Sequence, residues 1–86
     1  PLKMELSFWF PRPKSHYRTG KFAHELKPSA PTYHTSKPDI TKLTRAVEDA
    51  LTAIVWRDDS QIVIAHQTKW YTRFTAGVQV TIKSEE

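Results

Sequence analysis

The sequence contains no cysteine and no long apolar run, and each absence excludes a class of protein. Without cysteine the chain forms neither disulfides nor thiolate zinc sites, and it does not depend on an oxidising compartment. No apolar stretch approaches the ~20 residues that a membrane-spanning helix needs, and the N-terminal residues lack the apolar segment of a secretory signal. We therefore expect a soluble, cytoplasmic protein without a membrane partner.

The chain is also short, and its 86 residues predict a single domain over residues 1–86. A domain of this size buries only about 60–65% of its unfolded surface, so the core is expected to be thin. Because no disulfide is available, good packing, a bound metal or a second subunit must add stability. A homodimer is therefore expected.

The net charge of +4 is unevenly distributed along the chain. Residues 1–38 hold seven lysines and arginines against two acidic residues, whereas residues 39–86 hold six against seven. A basic arm joined to a slightly acidic body suits a protein that binds a polyanion with one part and performs metal-assisted chemistry with another. A solvated basic loop explains the same excess, so charge alone does not decide the function.

The first half of the chain combines one strand with a long loop. Alternating apolar residues predict a half-buried strand over residues 3–10, which Pro11 ends. Residues 11–38 hold five of the six prolines and little periodicity, and they predict an irregular basic loop. Loops longer than ~12–15 residues in a compact domain are usually functional or disordered. The side chains in this loop that suit phosphate contacts are Lys14, His16, Arg18 and Lys21.

The strongest secondary-structure signal lies in residues 37–61. Apolar side chains recur at helical spacing and predict a helix that begins after Asp39. Its apolar face is formed by Ile40, Leu43, Val47, Ala50, Leu51 and Ile54. Its polar face carries Thr41, Lys42, Arg45, Glu48, Asp49 and Thr52.

Two further strands are predicted after the helix. Residues 61–71 are apolar on both faces near their start, which is typical of a central strand. The last strand begins at Gly77, with Val78, Val80 and Ile82 facing inward. The order strand, loop, helix, strand, strand predicts an α+β fold: a small mixed sheet of about three to four strands with one main amphipathic helix packed on one face.

Carboxylates bracket the predicted helix, with Asp39 at its start and Asp58 and Asp59 about twenty residues later. Each has a structural explanation, as an N-cap and as turn residues. If the helix and the following strand fold back on each other, the two clusters converge into a pocket for a hard cation such as Mg²⁺. Metal-assisted phosphodiester hydrolysis uses such a pocket. Arg45 would stabilise the phosphate there, although an ion pair with Asp49 explains it equally well.

Residues 37–63 resemble the signature of the RusA family of Holliday junction resolvases, with the sequence KPDITKLTRAVEDALTAIVWRDDSQIV. The similarity extends to about residue 69, and it is weaker over PRPKSHY and the final strand. The resemblance implies a phage or prophage endodeoxyribonuclease of recombination and repair, with an α+β fold. It further implies a homodimer that cleaves four-way or branched DNA with Mg²⁺, for which Mn²⁺ substitutes.

The resemblance also assigns roles to individual residues. Asp39 matches the family's first metal-binding aspartate and Asp59 its last, with Asp58 beside it. Arg45 lies where the best-studied member of the family has an essential lysine. Thr41 replaces a second metal-binding aspartate, so the site has lost one negative charge, which Glu48 or Asp58 would compensate. The implied catalytic residues are Asp39, Asp59 and Arg45, and the implied metal ligands are Asp39, Asp59, Asp58 and Thr41.

The residues expected to contact DNA are Lys14, His16, Arg18, Lys21, Lys37, Lys42, Lys69 and Arg73. Arginine in place of lysine at residue 45 keeps the charge, but a guanidinium exchanges protons less readily than an amine. The changes at residues 41 and 45 leave an alternative open: a non-catalytic protein that binds branched DNA with a degraded metal site.

Overall fold

The computed structural model describes residues 1–85, and the centre of its sheet is the first strand, β1 (Leu2–Pro11). β1 pairs in parallel with β2 (Ile62–Thr72) and antiparallel with β3 (Gly77–Ser84), which gives the order β2-β1-β3. The helix α1 (Ile40–Leu51) packs on one face. The predicted α+β class is confirmed. Among residues 1–85, no helix is long and apolar enough to cross a membrane.

The core is formed by alternate residues of β1 on the side that faces α1, as the period of two along a strand predicts. Met4 and Leu6 are almost completely buried, with exposed fractions of 0% and 1%. The buried residues of this core are Met4, Leu6, Phe8 and Trp56. Three residues of α1 pack against them: Leu43, Val47 and Leu51. The core is therefore as thin as the chain length predicts.

Local caps determine where α1 begins and ends. The carboxylate Oδ1 of Asp39 accepts a hydrogen bond of 2.9 Å from the backbone N–H of Lys42, as a preferred N-cap does. The helix ends before Thr52, which is extended, and Ala53 follows in the left-handed region with φ +69°. The prediction that Ile54 continues the apolar face of the helix is therefore wrong, and its side chain is 78% exposed.

The two outer strands are less covered than predicted. β2 lies at an edge of the sheet and not at its centre, so the apolar residues at its start are partly exposed, with Val63 at 58%. Val78 and Val80 of β3 align with core residues of β1 and face the α1 side as predicted. Because α1 lies mainly over β1 and β2, however, these two valines remain 50% and 37% exposed.

The basic loop at residues 11–38 is more ordered than its composition suggests. It contains two short 3-10 helices, Lys14–His16 and Gly20–Phe22. Near its end it returns to the sheet, where the N–H of Tyr71 donates to the carbonyl of Thr32 at 3.1 Å. This short antiparallel contact partly covers the outer edge of β2.

Candidate functional site

A polar pocket of about 490 Å³ lies between α1 and β2. Residues three and four positions apart share one face of a helix, so the polar face of α1 presents a continuous stripe to this pocket. The pocket is lined by Ile40, Thr41, Thr44, Arg45, Glu48, Asp49, Asp59 and Gln67. Three carboxylates and one guanidinium therefore share one cavity, which gives it the chemistry of an ion or phosphate site.

Two hydrogen bonds hold the carboxylate of Asp59 in this pocket. Its Oδ1 accepts from Thr52 Oγ1 at 2.7 Å and from the indole Nε1 of Trp56 at 3.0 Å. Within the described residues Oδ2 accepts no hydrogen bond from the protein. Since Trp56 belongs to the core, Asp59 is oriented by a rigid group while one oxygen stays available to a ligand.

Glu48 lies close enough to Asp59 to be affected by its charge. Burial raises the pKa of the Glu48 carboxyl, the negative charges of Asp59 and Asp49 raise it further, and Arg45 partly offsets them. The ionised form is thus disfavoured in the folded protein. The stability that Glu48 contributes is complete below its ordinary pKa of 4.5 and is lost as the pH rises through the raised value.

Asp39 lies at the opposite end of α1 from Asp59. The helix has 12 residues and is about 18 Å long at 1.5 Å per residue. Ligands of one Mg²⁺ or Ca²⁺ ion lie 2.0–2.6 Å from it, so they must lie within about 5 Å of each other. The expected convergence of Asp39 and Asp59 is therefore wrong for a single chain. β2 does run back along α1, but this brings Asp39 beside Lys69, whose Nζ donates to the carbonyl of Pro38 at 2.8 Å.

Asp58 supports the turn before β2 and does not line the pocket. It caps the short 3-10 helix Asp59–Gln61 by accepting from the backbone N–H of Ser60 at 2.8 Å. Hydrogen bonds from the backbone and side chain of Ser60 lower the pKa of Asp58. The side chain of Gln61 completes the capping box by accepting a hydrogen bond from the backbone of Asp58. These bonds fix the backbone of the turn that carries Asp59.

The metal ligands implied by the resemblance do not fit one ion in this fold. Of the four, only Thr41 and Asp59 line the same pocket. In the part of the chain from residue 1 to residue 85, no group of three or more histidine, aspartate or glutamate side chains is placed to hold a metal. Oxygen donors suited to a hard cation are nevertheless present at Glu48 and Asp59.

Some of the expected DNA contacts are used inside the protein. Arg18 Nη1 pairs with Glu25 at 2.8 Å, and Arg73 Nη2 donates to a backbone carbonyl of the basic loop at 2.7 Å. Lys69 Nζ donates to two carbonyls just before α1, each at 2.8 Å. His16 packs edge-on against Tyr71 with ring centroids 4.5 Å apart. These four side chains stabilise the loop.

The remaining expected contacts are exposed lysines: Lys14, Lys21, Lys37 and Lys42. Within residues 1–85 none of them forms an ion pair, although Lys21 Nζ lies 5.2 Å from the ring centroid of Phe22. Exposed ammonium groups of this kind are suited to DNA phosphates.

The sequence reasoning missed three residues that shape the site. Thr44 is 6% exposed and lines the pocket. Its spacing predicts this position, because it lies three residues after Thr41 and four before Glu48 on the same face of the helix. Trp56, which orients Asp59, carried no such signal. Gln67 enters the pocket from β2 only through the tertiary fold.

Comparison with known proteins shows which family the sequence belongs to. The sequence profile of a family described as Endodeoxyribonuclease RusA matches residues 1–83. The chain belongs to the RusA family. It is also 32% identical over 72 residues to the uncharacterized protein YqaN of Bacillus subtilis (strain 168), a match that covers 84% of this chain and 50% of that protein. The chain thus spans about half the length of this relative. No solved structure matches it significantly.

Proposed function

We propose that the chain is an endodeoxyribonuclease that hydrolyses phosphodiester bonds in branched DNA, four-way junctions included, in phage or prophage recombination and repair. In this proposal it acts as a homodimer and requires Mg²⁺ or Mn²⁺. The observation that carries the proposal is the pocket on α1, in which one guanidinium lies among three carboxylates in a chain of this family.

Arg45 and Asp59 have the clearest roles in this pocket. A guanidinium at this position binds a phosphate oxygen and stabilises the charge that develops during hydrolysis. Asp59 is already held by Thr52 and Trp56, so little reorganisation is needed when DNA arrives. A divalent cation would activate water and neutralise charge on the phosphate when bound.

The exposed lysines would hold the DNA. Lys37 and Lys42 flank the start of α1, and Lys14 and Lys21 lie on the basic loop. Lysine contacts to phosphates provide affinity that falls with salt and carry no sequence information. Recognition of a branch by such contacts depends on DNA shape rather than on base sequence.

Cleavage of a synthetic four-way junction tests the proposal. We expect nicked products in Mg²⁺ and none in EDTA, with strong loss in Arg45→Ala and in Asp59→Asn. Arg57→Ala is the matched control, because Arg57 is exposed and lies outside the pocket. Absence of cleavage by the wild type at every Mg²⁺ and Mn²⁺ concentration would overturn the proposal.

A second candidate function is binding of branched DNA without cleavage. It is favoured by the separation of Asp39 from Asp59 and by the uncharged Thr41 in the first turn of α1. This candidate predicts junction binding that is sensitive to salt and survives Asp59→Asn. It also predicts that Thr41→Asp creates or raises cleavage. If the wild type already cuts as fast as Thr41→Asp, the second candidate fails.

A further inference from the structure

We propose that three aromatic side chains on the face of the sheet opposite α1 bind unpaired bases of DNA by stacking. These side chains, the aromatic row, are Tyr33, Trp70 and Trp9. The inference rests on the proposed function for DNA as the ligand, and it adds a contact to bases where the exposed lysines contact only phosphates. The ring geometry that carries it lies outside the polar pocket on α1.

The three rings of the aromatic row are aligned across neighbouring strands. Trp9 and Trp70 are partners in the parallel pairing of β1 with β2, and Tyr33 pairs with Trp70 on the outer edge of β2. The ring centroids of Trp9 and Trp70 lie 5.5 Å apart at an angle of 16°, and those of Trp70 and Tyr33 lie 4.8 Å apart at 34°. Neighbouring strands are about 4.8 Å apart, so the rings stand side by side and turn their faces along the row.

Both ends of the aromatic row are open. The partner of Trp9 on β3 is Gly77, which has no side chain, and a Cβ placed on it would meet no atom within 4 Å. At the other end Tyr33 is 54% exposed. Cross-strand pairing stabilises a sheet and accounts for the two tryptophans, but it does not account for an exposed tyrosine that extends the row. A base at either end would lengthen the stack without displacing a side chain.

The rest of this face suits the backbone of a DNA strand. Its side chains alternate along β1, β2 and β3 with those that face α1, and none of them is buried. Next to the aromatic row they are polar: Ser7, Thr68, Gln79 and Thr81. Farther along lie two lysines and a histidine against one acidic residue: Lys3, Lys83, His66 and Glu5. Aromatic rings for bases together with cations for phosphates are the components of sites that bind single strands.

The aromatic row also begins next to the polar pocket on α1. Tyr33 lines a groove of about 340 Å³ at the outer edge of β2, together with Ile40 and Gln67, which line the polar pocket as well. Thr68, from the face of the aromatic row, lines the same groove. The groove therefore connects the two faces of the sheet around the edge of β2. An unpaired nucleotide next to a strand bound in the polar pocket would reach Tyr33 along this groove.

A comparison of two single strands tests the site without changing the protein. The ligands are an oligothymidylate of about ten nucleotides and an abasic strand of the same length, both in EDTA. We expect the abasic strand to bind at least about fivefold more weakly, because it cannot stack. The slope of log K against log salt should be equal for both, because they carry the same phosphates. Oligothymidylate should also quench the emission of Trp9 and Trp70, whereas Trp56 is buried in the core.

Substitutions test whether the bases bind at the aromatic row. Tyr33→Ala should weaken binding of oligothymidylate by at least about fivefold and leave binding of the abasic strand unchanged, whereas Tyr33→Phe should keep the affinity of the wild type. Trp9→Leu should weaken the same binding, with circular dichroism as the check that the variant is folded. Phe74→Ala is the matched control, because Phe74 is 90% exposed and lies outside the row, and it should change neither affinity.

Three results would overturn the proposal. The first is equal binding of the two strands by the wild type. The second is a weaker affinity for the abasic strand that neither Tyr33→Ala nor Trp9→Leu reproduces with oligothymidylate, since the bases would then bind elsewhere. The third is conversion of a dimer to a monomer by Tyr33→Ala in sedimentation, which would make the aromatic row an interface between copies of the chain.

The two proposals fail in different ways. Junction cleavage by the wild type, with equal binding of the two single strands, would reject the aromatic row and leave the nuclease function standing. Base-dependent binding that is lost in Tyr33→Ala, with no cleavage by the wild type, would confirm the aromatic row and reject the nuclease function.

Discussion

The indole Nε1 of Trp56 donates a hydrogen bond of 3.0 Å to Oδ1 of Asp59. Trp56 is 4% exposed and packs with the buried residues of β1, so a core residue directly orients a carboxylate of the candidate site. The geometry of the site therefore depends on the packing of the sheet against α1.

Thr52, at the end of α1, donates a hydrogen bond to the same oxygen of Asp59. A substitution at Thr52 removes this bond and leaves the one from Trp56 in place. We expect Thr52→Val to weaken Mn²⁺ binding by about tenfold, because Asp59 loses one of the two groups that orient it. Valine suits the extended backbone at this position, so the folded state should be retained. Calorimetry checks the affinity, with the exposed Thr75→Val as control. Equal affinity in Thr52→Val and wild type would show that Trp56 alone is sufficient.

The buried hydroxyl of Thr44 allows a prediction about the stability of the protein. Thr44→Val replaces a buried, unpartnered hydroxyl by a methyl group of similar size, which should stabilise the cation-free protein by about 1 kcal/mol. For a domain of this size, Tm should rise by roughly 4–8 °C. A fall in Tm in the absence of cations would mean that the hydroxyl has a partner in solution.

The exposed lysines should determine how junction binding depends on salt. If Lys14, Lys37 and Lys42 each contact one phosphate, replacing all three by alanine should reduce the slope of log K against log salt by about 0.9 per lysine. Titration of a labelled junction at several salt concentrations measures this slope. Tm should not change, because within residues 1–85 these side chains make no hydrogen bond or ion pair.

Lys69→Ala is the contrasting variant for that experiment. Lys69 Nζ holds two carbonyls before α1, so its loss should lower Tm by destabilising the end of the basic loop. An unchanged slope in the triple lysine variant would contradict the assignment of those lysines to the DNA.

His34 should make stability depend on pH. It is 8% exposed and stacks on Phe10 with ring centroids 3.8 Å apart, and burial, followed by the charge of Lys69, lowers its pKa below the ordinary value of 6.5. Its contribution is complete above 6.5 and is lost as the pH falls through the lowered value. Thermal denaturation should therefore show a decline below 6.5 that His34→Phe reduces.

The exposed His66 provides the control for this titration. His66→Gln should keep the decline of the wild type. An equal decline in His34→Phe would assign the pH dependence to other groups.

Ala53 adopts φ +69°, a conformation that costs residues with a Cβ about 1–2 kcal/mol. Ala53→Gly should remove this cost. Since glycine also loses more entropy on folding, the net gain in unfolding free energy should be about 1 kcal/mol or less. Urea denaturation measures the gain. The exposed Ala23→Gly, at a right-handed helical position, should instead destabilise or be neutral.

The sequence was sufficient for the elements whose patterns are local. Alternation along β1, helical spacing along α1 and the N-cap at Asp39 each depend on neighbouring residues, and all three are found in the structure. The end of α1 was misplaced because Ile54 continues the apolar spacing by coincidence, whereas the backbone at Thr52 and Ala53 has already left the helix.

Features that depend on tertiary packing could not be predicted in this way. The apolar start of β2 suggested a central strand, but strand order is determined by pairing with β1 and not by composition. The same limit applies to the site. Aspartates at the two ends of α1 are expected to meet, and only the fold shows that Asp59 lines the same pocket as Glu48 instead.

The central position of β1 has a consequence for how the protein folds. β1 makes all of its strand pairings with residues 62–84, although it is the first element of this chain. Contacts so distant in sequence close slowly, whereas α1 depends on local contacts and can form early. During synthesis both edges of β1 are unpaired until β2 and β3 have been made. In that interval the apolar strand can associate with other chains. Substitutions that weaken the pairing of β1 should thus lower the yield of folded protein.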